Sequence, residues 1–360
     1  MKKNIAILSI CLAFFSSCKE KTNEVTDIKV SEPIEIIEPQ IDVVTEFKGQ
    51  QVTGVTLSDS GRVFVNFPRW RKGVTNSVME IKEDGQQVSY PNDEWNSWEI
   101  DLPVSDTQFV GVQSVVAFEN LLYVVDTRSP LFQNVLDAPR VYVFDFNTDE
   151  LVETFILNSD SYFKDSYIND LRVDKENNKI YLTDSGHAGL VIVDLKTKKS
   201  NRILTDHTST TAEVSSLTFN NKVWNNTVHS DGIALDAKND RLYYHALTGY
   251  SLYSVSTDSL VLSSEIEKNV KLEAKTAAPD GMIFDQSGNL YYADLENNKI
   301  QYRKSDGSIH TLVEGDKVKW ADTFSIYNNY LYYTNSRINE VTPDISEMSF
   351  MVNKVLLPID

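Results

Sequence analysis

Cysteine is nearly absent from this 360-residue sequence, which contains only Cys11 and Cys18. Because both lie within the first 18 residues, neither a disulfide framework nor a thiolate zinc site is expected in the rest of the chain. Glycine and proline number only 14 and 10, which excludes a collagen-like or low-complexity chain. The longest apolar run, from Ile5 to Phe15, is too short for a lasting membrane span, which excludes a polytopic membrane protein.

Basic charge is also scarce, since 34 lysines and arginines stand against 52 aspartates and glutamates, for a formal net charge of -18. Such a surface repels a phosphate backbone, so no nucleic-acid partner is expected. The sequence also lacks a G-x-S-x-G elbow, a P-loop and a Rossmann glycine fingerprint, which removes the commonest hydrolase, nucleotide and NAD-binding classes. It does contain 41% hydrophobic residues, enough to bury a sizeable core. The length suits two ordinary domains or one large closed β architecture, and we expect a monomer.

The first residues have the pattern of an export signal. Lys2 and Lys3 precede the apolar run, and Ser16-Ser17-Cys18 follows it, which resembles a bacterial lipobox with Cys18 as the lipidated residue. We therefore predict a lipoprotein signal peptide over residues 1–17 and a lipid anchor with a flexible tether over 18–40. The expected location is the bacterial cell envelope, periplasmic or at the cell surface, with membrane contact through the lipid only. A plain secretory signal that happens to contain cysteine is the alternative.

One phrase recurs through the rest of the chain, in copies at 52–67, 111–127, 168–185, 230–247, 279–295 and 321–336. In each copy, two runs rich in β-branched and aromatic residues flank a turn signal such as Asp59-Ser60-Gly61, which predicts a hairpin. Third strands follow several copies, at the spacing of four-stranded propeller blades. The sequence therefore predicts an all-β fold, a six-bladed β-propeller over residues 41–360. Residues 41–47 are expected to close the last blade, which lacks a fourth strand of its own. Two stacked β domains are the alternative.

A polar residue stands at the start of the first strand in each copy, and propeller geometry places these residues on a ring at one mouth of the central channel. The six are Thr53, Gln113, Asn169, Asp231, Asp280 and Asp322. Oxygen-only ligands suit Ca²⁺ or Mg²⁺, so Asn169, Asp231 and Asp280 are the candidate metal ligands. The alternative is that the ring residues cap turns and tie neighbouring blades together.

A second polar set ends the next strands, at Asp126, Asp184, His245, Asp294 and Asn335. We predict that Asp184, His245 and Asp294, together with Asn169 and Asp322, bind a small-molecule ligand. His245 is the candidate catalytic residue, as a proton carrier. The alternatives are that the acids bind backbone N–H groups of the following loop and that His245 is a packed, hydrogen-bonded side chain.

Aromatic residues are expected in the loops around the mouth. They occur in Phe67-Pro68-Arg69-Trp70, at Trp224 and in Ala246-Leu247-Thr248-Gly249-Tyr250. Such side chains either pack the loops together or line a ligand pocket, and the sequence leaves both open.

Several phrases occur in the order typical of a known family, among them GVTLSDSGRVFVNFPRW (54–70), SVVAFENLLYVVDT (114–127) and SDGIALDAKNDRLYYHALTGYSLYSV (230–255). Over about residues 41–350 the sequence resembles the major royal jelly protein/yellow family, including its bacterial, dopachrome-tautomerase-related members. The resemblance implies a secreted six-bladed propeller. Insect relatives are associated with pigment chemistry, and salivary relatives bind small amines in the channel.

A more distant resemblance is to the gluconolactonase and paraoxonase-like propellers, whose channel metal is held by a Glu in the first blade and by PNG-like and PDG-like phrases. Pro279-Asp280-Gly281 matches the PDG phrase, Ser230-Asp231-Gly232 matches the PNG phrase with Asp for Asn, and Ile168-Asn169-Asp170 matches the substrate-side Asn phrase. Thr53 stands where that family carries Glu. The resemblance therefore implies a related channel site with a different ligand set.

Two functions follow from these patterns. The first is a lipid-anchored propeller that binds a small polar or aromatic ligand in its channel mouth. The alternative is a metal-dependent enzyme of the same fold, a dopachrome-type tautomerase or a lactone hydrolase, in which Ca²⁺ or Mg²⁺ polarises a carbonyl oxygen. A protein-interaction platform has no WD-type signature to support it.

Overall fold

The computed structural model describes residues 39–262 and 265–358. The predicted signal peptide, the predicted lipidation site Cys18 and the tether up to residue 38 lie outside these described residues. The first strand, β1 (Ile41–Lys48), begins where the predicted propeller begins.

Blades 1 to 3 are consecutive four-stranded antiparallel sheets in which strand order follows chain order. Blade 1 contains β2 (Gly54–Leu57), β3 (Val63–Asn66), β4 (Val78–Ile81) and β5 (Gln87–Ser89). Blade 2 contains β6 (Val112–Phe118), β7 (Leu121–Asp126), β8 (Arg140–Asp145) and β9 (Leu151–Ile156). Blade 3 contains β10 (Ile168–Asp174), β11 (Lys179–Asp184), β12 (Gly189–Asp194) and β13 (Ser200–Ile203).

A separate two-stranded hairpin, β14 (Leu217–Phe219) and β15 (Lys222–Trp224), precedes blade 4. Blade 4 contains β16 (Ser230–Asp236), β17 (Arg241–Ala246), β18 (Ser251–Ser256) and β19 (Lys271–Lys275). Blade 5 contains β20 (Met282–Phe284), β21 (Leu290–Asp294), β22 (Lys299–Arg303) and β23 (Ile309–Glu314). Blade 6 contains β24 (Ala321–Tyr327), β25 (Tyr330–Asn335) and β26 (Ser349–Leu356), with β1 as its outermost strand.

Helices are short and lie in connections. The α-helices are α1 (Asp93–Asn96) and α2 (Thr257–Leu262), and the 3-10 helices are Pro130–Phe132, Ala237–Asn239, Glu267–Asn269, Asp316–Val318 and Ile338–Glu340. Over the described ranges 39–262 and 265–358, no helix combines the length and the apolar character needed to cross a bilayer.

The six blades form one closed ring. The innermost strands contact one another in the cyclic order β2, β6, β10, β16, β20, β24 and back to β2, which rules out two stacked domains. Closure comes from β1, which pairs antiparallel with β26 from Ile41 opposite Val355 to Lys48 opposite Ser349. The predicted six-bladed propeller and its closing N-terminal strand are therefore confirmed.

Hydrophobic residues hold neighbouring blades together. Strands in the middle of each sheet have apolar side chains on both faces, as in β12, where every residue from Gly189 to Val193 is buried. Each interface between blades holds its own apolar cluster, for example Val141 and Phe155 of blade 2 against Leu171 and Ile180 of blade 3. Because each sheet is covered on both faces, its middle strands read as near-continuous apolar runs rather than as a polar/apolar alternation.

Candidate functional site: the mouth of the central channel

Irregularities at the start of the innermost strands present the ring residues to the channel. The pairing of β6 with β7 shifts register between Val112 and Ser114, around Gln113, and β16 shifts between Ser230 and Ile233, around Asp231. The same shift occurs in β10 around Asn169 and in β24 around Asp322. A bulge takes a residue out of the regular ladder and re-aims its side chain. The repeated polar residue is therefore presented by the same local geometry in four blades.

The main chain of the ring is tied between blades by side chains of the preceding blade. Asn66 Nδ2 donates to the Gln113 carbonyl at 3.0 Å, and Thr183 Oγ1 donates to the Asp231 carbonyl at 2.8 Å. Glycine allows the close approach, since a Cβ on Gly281 would lie 2.7 Å from the carbonyl oxygen of Asp322. Because these bonds use the carbonyls of the ring, the blade-tying role and the availability of the ring side chains are compatible.

Five of the six ring side chains meet at a small chamber of about 10 Å³ on the channel axis: Gln113, Asn169, Asp231, Asp280 and Asp322. That volume holds about one water molecule or ion. Thr53 does not line the chamber; its hydroxyl accepts a hydrogen bond from Asn66 Nδ2 at 3.2 Å. The predicted ring is therefore brought together without its blade 1 member.

Hydrogen bonds connect the amide residues of the ring to one carboxylate. Tyr167 OH donates to Gln113 Oε1 at 2.7 Å, and Gln113 Nε2 donates to Asn169 Oδ1 at 3.3 Å. Asn169 Nδ2 then donates to Asp231 Oδ2 at 2.7 Å. This chain fixes the orientation of both amides and leaves Asp231 as its terminal acceptor.

Three buried aspartates make the chamber electrostatically unusual. Burial is the main cause that raises the pKa of Asp280 to about 7, although the Trp320 Nε1 hydrogen bond at 2.7 Å favours the ionised form. Burial and the neighbouring carboxylates raise the pKa values of Asp231 and Asp322 well above the ordinary range. Asp322 Oδ2 is buried and has no hydrogen-bond partner within the described part of the chain. A cation or a shared proton would relieve this arrangement.

The donor set fits a hard cation by its chemistry, since Asn169, Asp231 and Asp280 offer only oxygen ligands and Asp322 has an unpartnered oxygen. In residues 39–262 and 265–358, no three His, Cys, Asp or Glu side chains are arranged as ligands of one metal ion. That finding does not test the predicted metal ligands, because one of the three, Asn169, is an amide. The predicted metal site therefore stays a prediction.

A cavity of about 370 Å³ opens above the chamber and includes Asn169, Asp231, Asp280 and Asp322 in its lining. One wall is an aromatic stack: the ring centroids of Trp70 and Phe132 lie 5.1 Å apart, and those of Phe132 and Tyr167 lie 5.6 Å apart. Phe132 is 63% exposed, so its ring is open to the cavity and to solvent. Trp70 Nε1 donates to Tyr167 OH at 2.6 Å and fixes the wall.

A second aromatic wall contains Trp224 and Trp320, whose ring centroids lie 4.9 Å apart with the planes at 66°. Trp224 ends the extra hairpin, and Trp320 donates to Asp280, so this wall reaches down to the carboxylates. The mouth is thus an aromatic-walled cup with an acidic floor.

The second predicted set lies mostly in backbone-binding positions. Asp126 accepts from the N–H groups of Val110 and Gly111 at 2.7 and 2.8 Å. Asp184 accepts from the Tyr167 N–H and from Arg202 Nη1, both at 2.8 Å.

His245 and Asp294 also bind neighbouring protein groups. His245 Nδ1 lies 2.7 Å from the Ala246 carbonyl, its Nε2 lies 2.9 Å from Thr276 Oγ1, and burial lowers its pKa to about 4. Asp294 accepts from Asn297 Nδ2 at 2.9 Å. Asp184, His245 and Asp294 do not line the mouth cavity. Their ligand-binding and catalytic roles stay predictions, without support from their positions.

The loop aromatics divide between the two alternatives left open by the sequence. Trp70 and Trp224 line the cavity, whereas Phe67 is buried and Tyr250 packs against the core. Sequence reasoning missed Phe132, Tyr167 and Trp320. A signal for two of them was present, since Tyr167 and Trp320 each stand two residues before a ring residue, Asn169 and Asp322.

The family model described as major royal jelly protein matches residues 113–356. The sequence is similar to major royal jelly protein 5 of Apis mellifera, with 22% identity over 254 residues that make up 67% of this chain. The match spans 42% of that relative's length.

Solved structures share the fold at low identity. A gluconolactonase from Xanthomonas campestris is 12% identical with a TM-score of 0.56, over 89% of this chain and 90% of that one. Virginiamycin B lyase from Staphylococcus aureus is 13% identical with a TM-score of 0.52, over 89% of this chain and 100% of that one. A luciferin-regenerating enzyme is 12% identical with a TM-score of 0.57, over 88% and 95% of the respective chains. At such identities the likeness concerns the fold alone.

Proposed function

The chain belongs to the major royal jelly protein family, and we propose that its propeller binds a small organic ligand with an aromatic ring and a positive charge in the channel mouth. One observation carries the proposal: aromatic walls stand directly above three buried carboxyl groups. Asp231, Asp280 and Asp322 form the floor, and Trp70 and Trp320 are among the aromatic side chains of the walls.

The floor favours positive charge because the carboxyl groups are buried close together. An ammonium group placed beside them would offset their mutual repulsion and supply donors for Asp322 Oδ2. The walls favour a flat ring, since aromatic faces stack on other rings and attract cations by about 0.5–2 kcal/mol. Charge and ring thus select the same class of ligand, an arylalkylamine.

A matched series of probes tests this proposal by titration calorimetry. We expect 2-phenylethylamine to bind more tightly than the neutral 2-phenylethanol, and 3-phenylpropanoate to bind least. The three probes share a phenyl ring on a short alkyl chain and differ mainly in the charge of the end group, which is positive, neutral and negative, respectively. Asp280→Asn should weaken amine binding by about tenfold or more while leaving the alcohol nearly unchanged. Asp306→Asn, an exposed aspartate away from the mouth, is the control for net charge. Equal affinity for all three probes would contradict the proposal.

A second candidate is an enzyme of the tautomerase or lactone-hydrolase type. The observation that favours it is Asp280, a carboxyl group in the cavity lining whose pKa of about 7 suits proton transfer near neutral pH. Asn169, Asp231 and Asp280 would hold Ca²⁺ or Mg²⁺, which polarises a carbonyl oxygen when bound. Conversion of dopachrome and hydrolysis of gluconolactone, measured with either ion and with a chelator, test this function. Turnover that Asp280→Asn abolishes would favour it over binding alone.

We also propose that the chain is exported and held at the bacterial cell envelope through a lipid on Cys18. The support is the sequence pattern of residues 1–18. In this arrangement the propeller would meet small molecules outside the cytoplasm.

A further inference from the structure

A second cavity, of about 210 Å³, lies between blades 6 and 1, and none of its lining residues belongs to the mouth cavity. Its walls come from the loop that follows β1, the loop that follows β3 and the loop that precedes β26. We refer to it as the Arg71 cavity.

Arg71 is a half-buried arginine that has no hydrogen bond or ion pair among the residues described by the structure. Other arginines with little exposure have protein partners: Arg62 binds Glu80 and Arg202 binds Asp184, whereas Arg69 donates to main-chain carbonyls. Burial lowers the pKa of Arg71. A partly desolvated guanidinium without an anionic partner is energetically unfavourable. An anionic ligand in the cavity would therefore be stabilised by Arg71.

Two glutamines that line the same cavity, Gln50 and Gln51, have acceptor oxygens that are unpartnered within residues 39–262 and 265–358. Gln51 is 4% exposed, and its Nε2 donates to the Ser336 carbonyl at 2.9 Å, which fixes the amide orientation. Its Oε1 is therefore an acceptor, and it is buried without a partner in the described part of the chain. Gln50 Oε1 is also buried without a hydrogen-bond partner among the described residues. A ligand that satisfies this site needs a donor group as well as a negative charge.

Apolar side chains form the base of the cavity, and a main-chain hydrogen bond joins two of the loops around it. Phe67 and Ile345 are buried beneath the cavity, and Val74 stands beside them. Gly49, at φ +69°, donates its N–H to the Met348 carbonyl at 2.8 Å, which joins two of the three loops. On the rim, Asp344 carries a carboxylate that accepts from the Ser346 N–H at 2.9 Å. Because Asp344 is negatively charged, the ligand group that lies next to the rim should be a hydrogen-bond donor, either neutral or positively charged.

We propose that the Arg71 cavity binds a small carboxylic acid that carries a hydrogen-bond donor on the carbon next to the carboxylate. The carboxylate pairs with the Arg71 guanidinium, the neighbouring donor binds Gln51 Oε1, and an apolar side chain packs on Phe67 and Ile345. Free α-amino acids, α-hydroxy acids and the C-terminal residue of a peptide share this chemistry.

Titration of the full chain with leucine and its close analogues tests the proposal and separates these sources. Leucine, 2-hydroxy-4-methylpentanoate and N-acetyl-leucine represent the three classes. The controls 4-methylpentanoate and 3-methylbutylamine lack the donor and the carboxylate, respectively. We expect at least one of the first three to bind about tenfold more tightly than either control. Failure of all three to bind at about 10 mM, or equal binding of the controls, would overturn the proposal.

The matched variants are Arg71→Gln and Lys72→Gln, which remove the same charge at adjacent positions. Lys72 lines the cavity but is exposed and already pairs with Asp101 at 2.7 Å. Arg71→Gln should weaken binding about tenfold or more, and Lys72→Gln by less than about twofold. Arg71→Gln should also fold normally, since the guanidinium loses no hydrogen bond or ion pair to any described residue; a thermal melt verifies this. Equal effects of the two substitutions would show that net charge alone attracts the ligand, and would overturn the site.

Discussion

Asp280→Asn should make the propeller more stable at neutral and alkaline pH, although it alters a buried hydrogen-bonded residue. Asp280 is 8% exposed, and burial raises its pKa to about 7. Asparagine has nearly the same shape and can still accept the hydrogen bond from Trp320 Nε1. It cannot ionise, so the cost of a buried charge disappears.

The size and sign of the effect follow from the pKa difference. In an unfolded chain Asp280 has a pKa near 3.8, so the folded state holds the proton more tightly by about three pH units. Stability that is fully present below about pH 4 is then lost as the pH rises to about 7, at roughly 1.4 kcal/mol per unit. The loss totals on the order of 4 kcal/mol and levels off above the folded-state pKa. The asparagine variant lacks this loss.

Denaturant unfolding between about pH 4 and pH 8, with a chelator and without amines, measures the difference. We expect the variant and the natural chain to agree near pH 4 and the variant to gain progressively at higher pH. Asp306→Asn changes the net charge equally, but its exposed carboxylate has a pKa lowered by Ser308, so it should show no such gain. Parallel pH profiles for Asp280→Asn and the natural chain would refute the reasoning.

Three further predictions concern other parts of the chain. Deletion of residues 41–47 should lower the free energy of unfolding by about 3 kcal/mol or more, because it removes a paired strand and the buried Phe47, whereas deletion of 19–40, the predicted tether, should leave it nearly unchanged; denaturant melts compare them. Cys18→Ser should move the protein from the detergent phase to the aqueous phase while the propeller stays folded, and continued detergent partitioning would contradict the lipid anchor. His245→Gln should cost about 1–3 kcal/mol of stability because buried partners are left unpaired, with amine affinity nearly unchanged by calorimetry; a large affinity loss would instead support the ligand role predicted from sequence.

The fold could be predicted because its signals are local and repeated. Each hairpin combines two apolar runs with a turn, as in Leu171 opposite Leu182 around the turn before Lys179, and six repetitions determine the number of blades. Closure followed because the last blade lacks a fourth strand of its own, while residues 41–47 read as a strand without a hairpin partner. The family resemblance, stated from separate phrases, is confirmed by the family match over residues 113–356.

The site could be predicted only where the repeat itself contributes to it. Ring residues share one position in the phrase, so their meeting at the chamber followed from topology. Phe132 lies in an irregular loop outside the repeat, and its backbone has a positive φ of 54°, which sequence patterns rarely indicate for an aromatic residue. The structural contacts of Asp184 depend on Arg202 from another strand. Such long-range partners have no periodic signal in the sequence.

The closing strand also governs the timing of folding during synthesis. Ile41 pairs with Val355, so β1 emerges about 300 residues before its partner, a very long-range contact. At a synthesis rate of about 5–20 residues per second, roughly 15 to 60 s pass between the synthesis of β1 and that of β26. During that interval the earlier blades can form from contiguous segments while the ring stays open and its sheet edges remain available to other chains. A chain truncated before Ser349 would lack β26 and keep its ring open, with unpaired sheet edges. The propeller can therefore close only after the last strand has been synthesised.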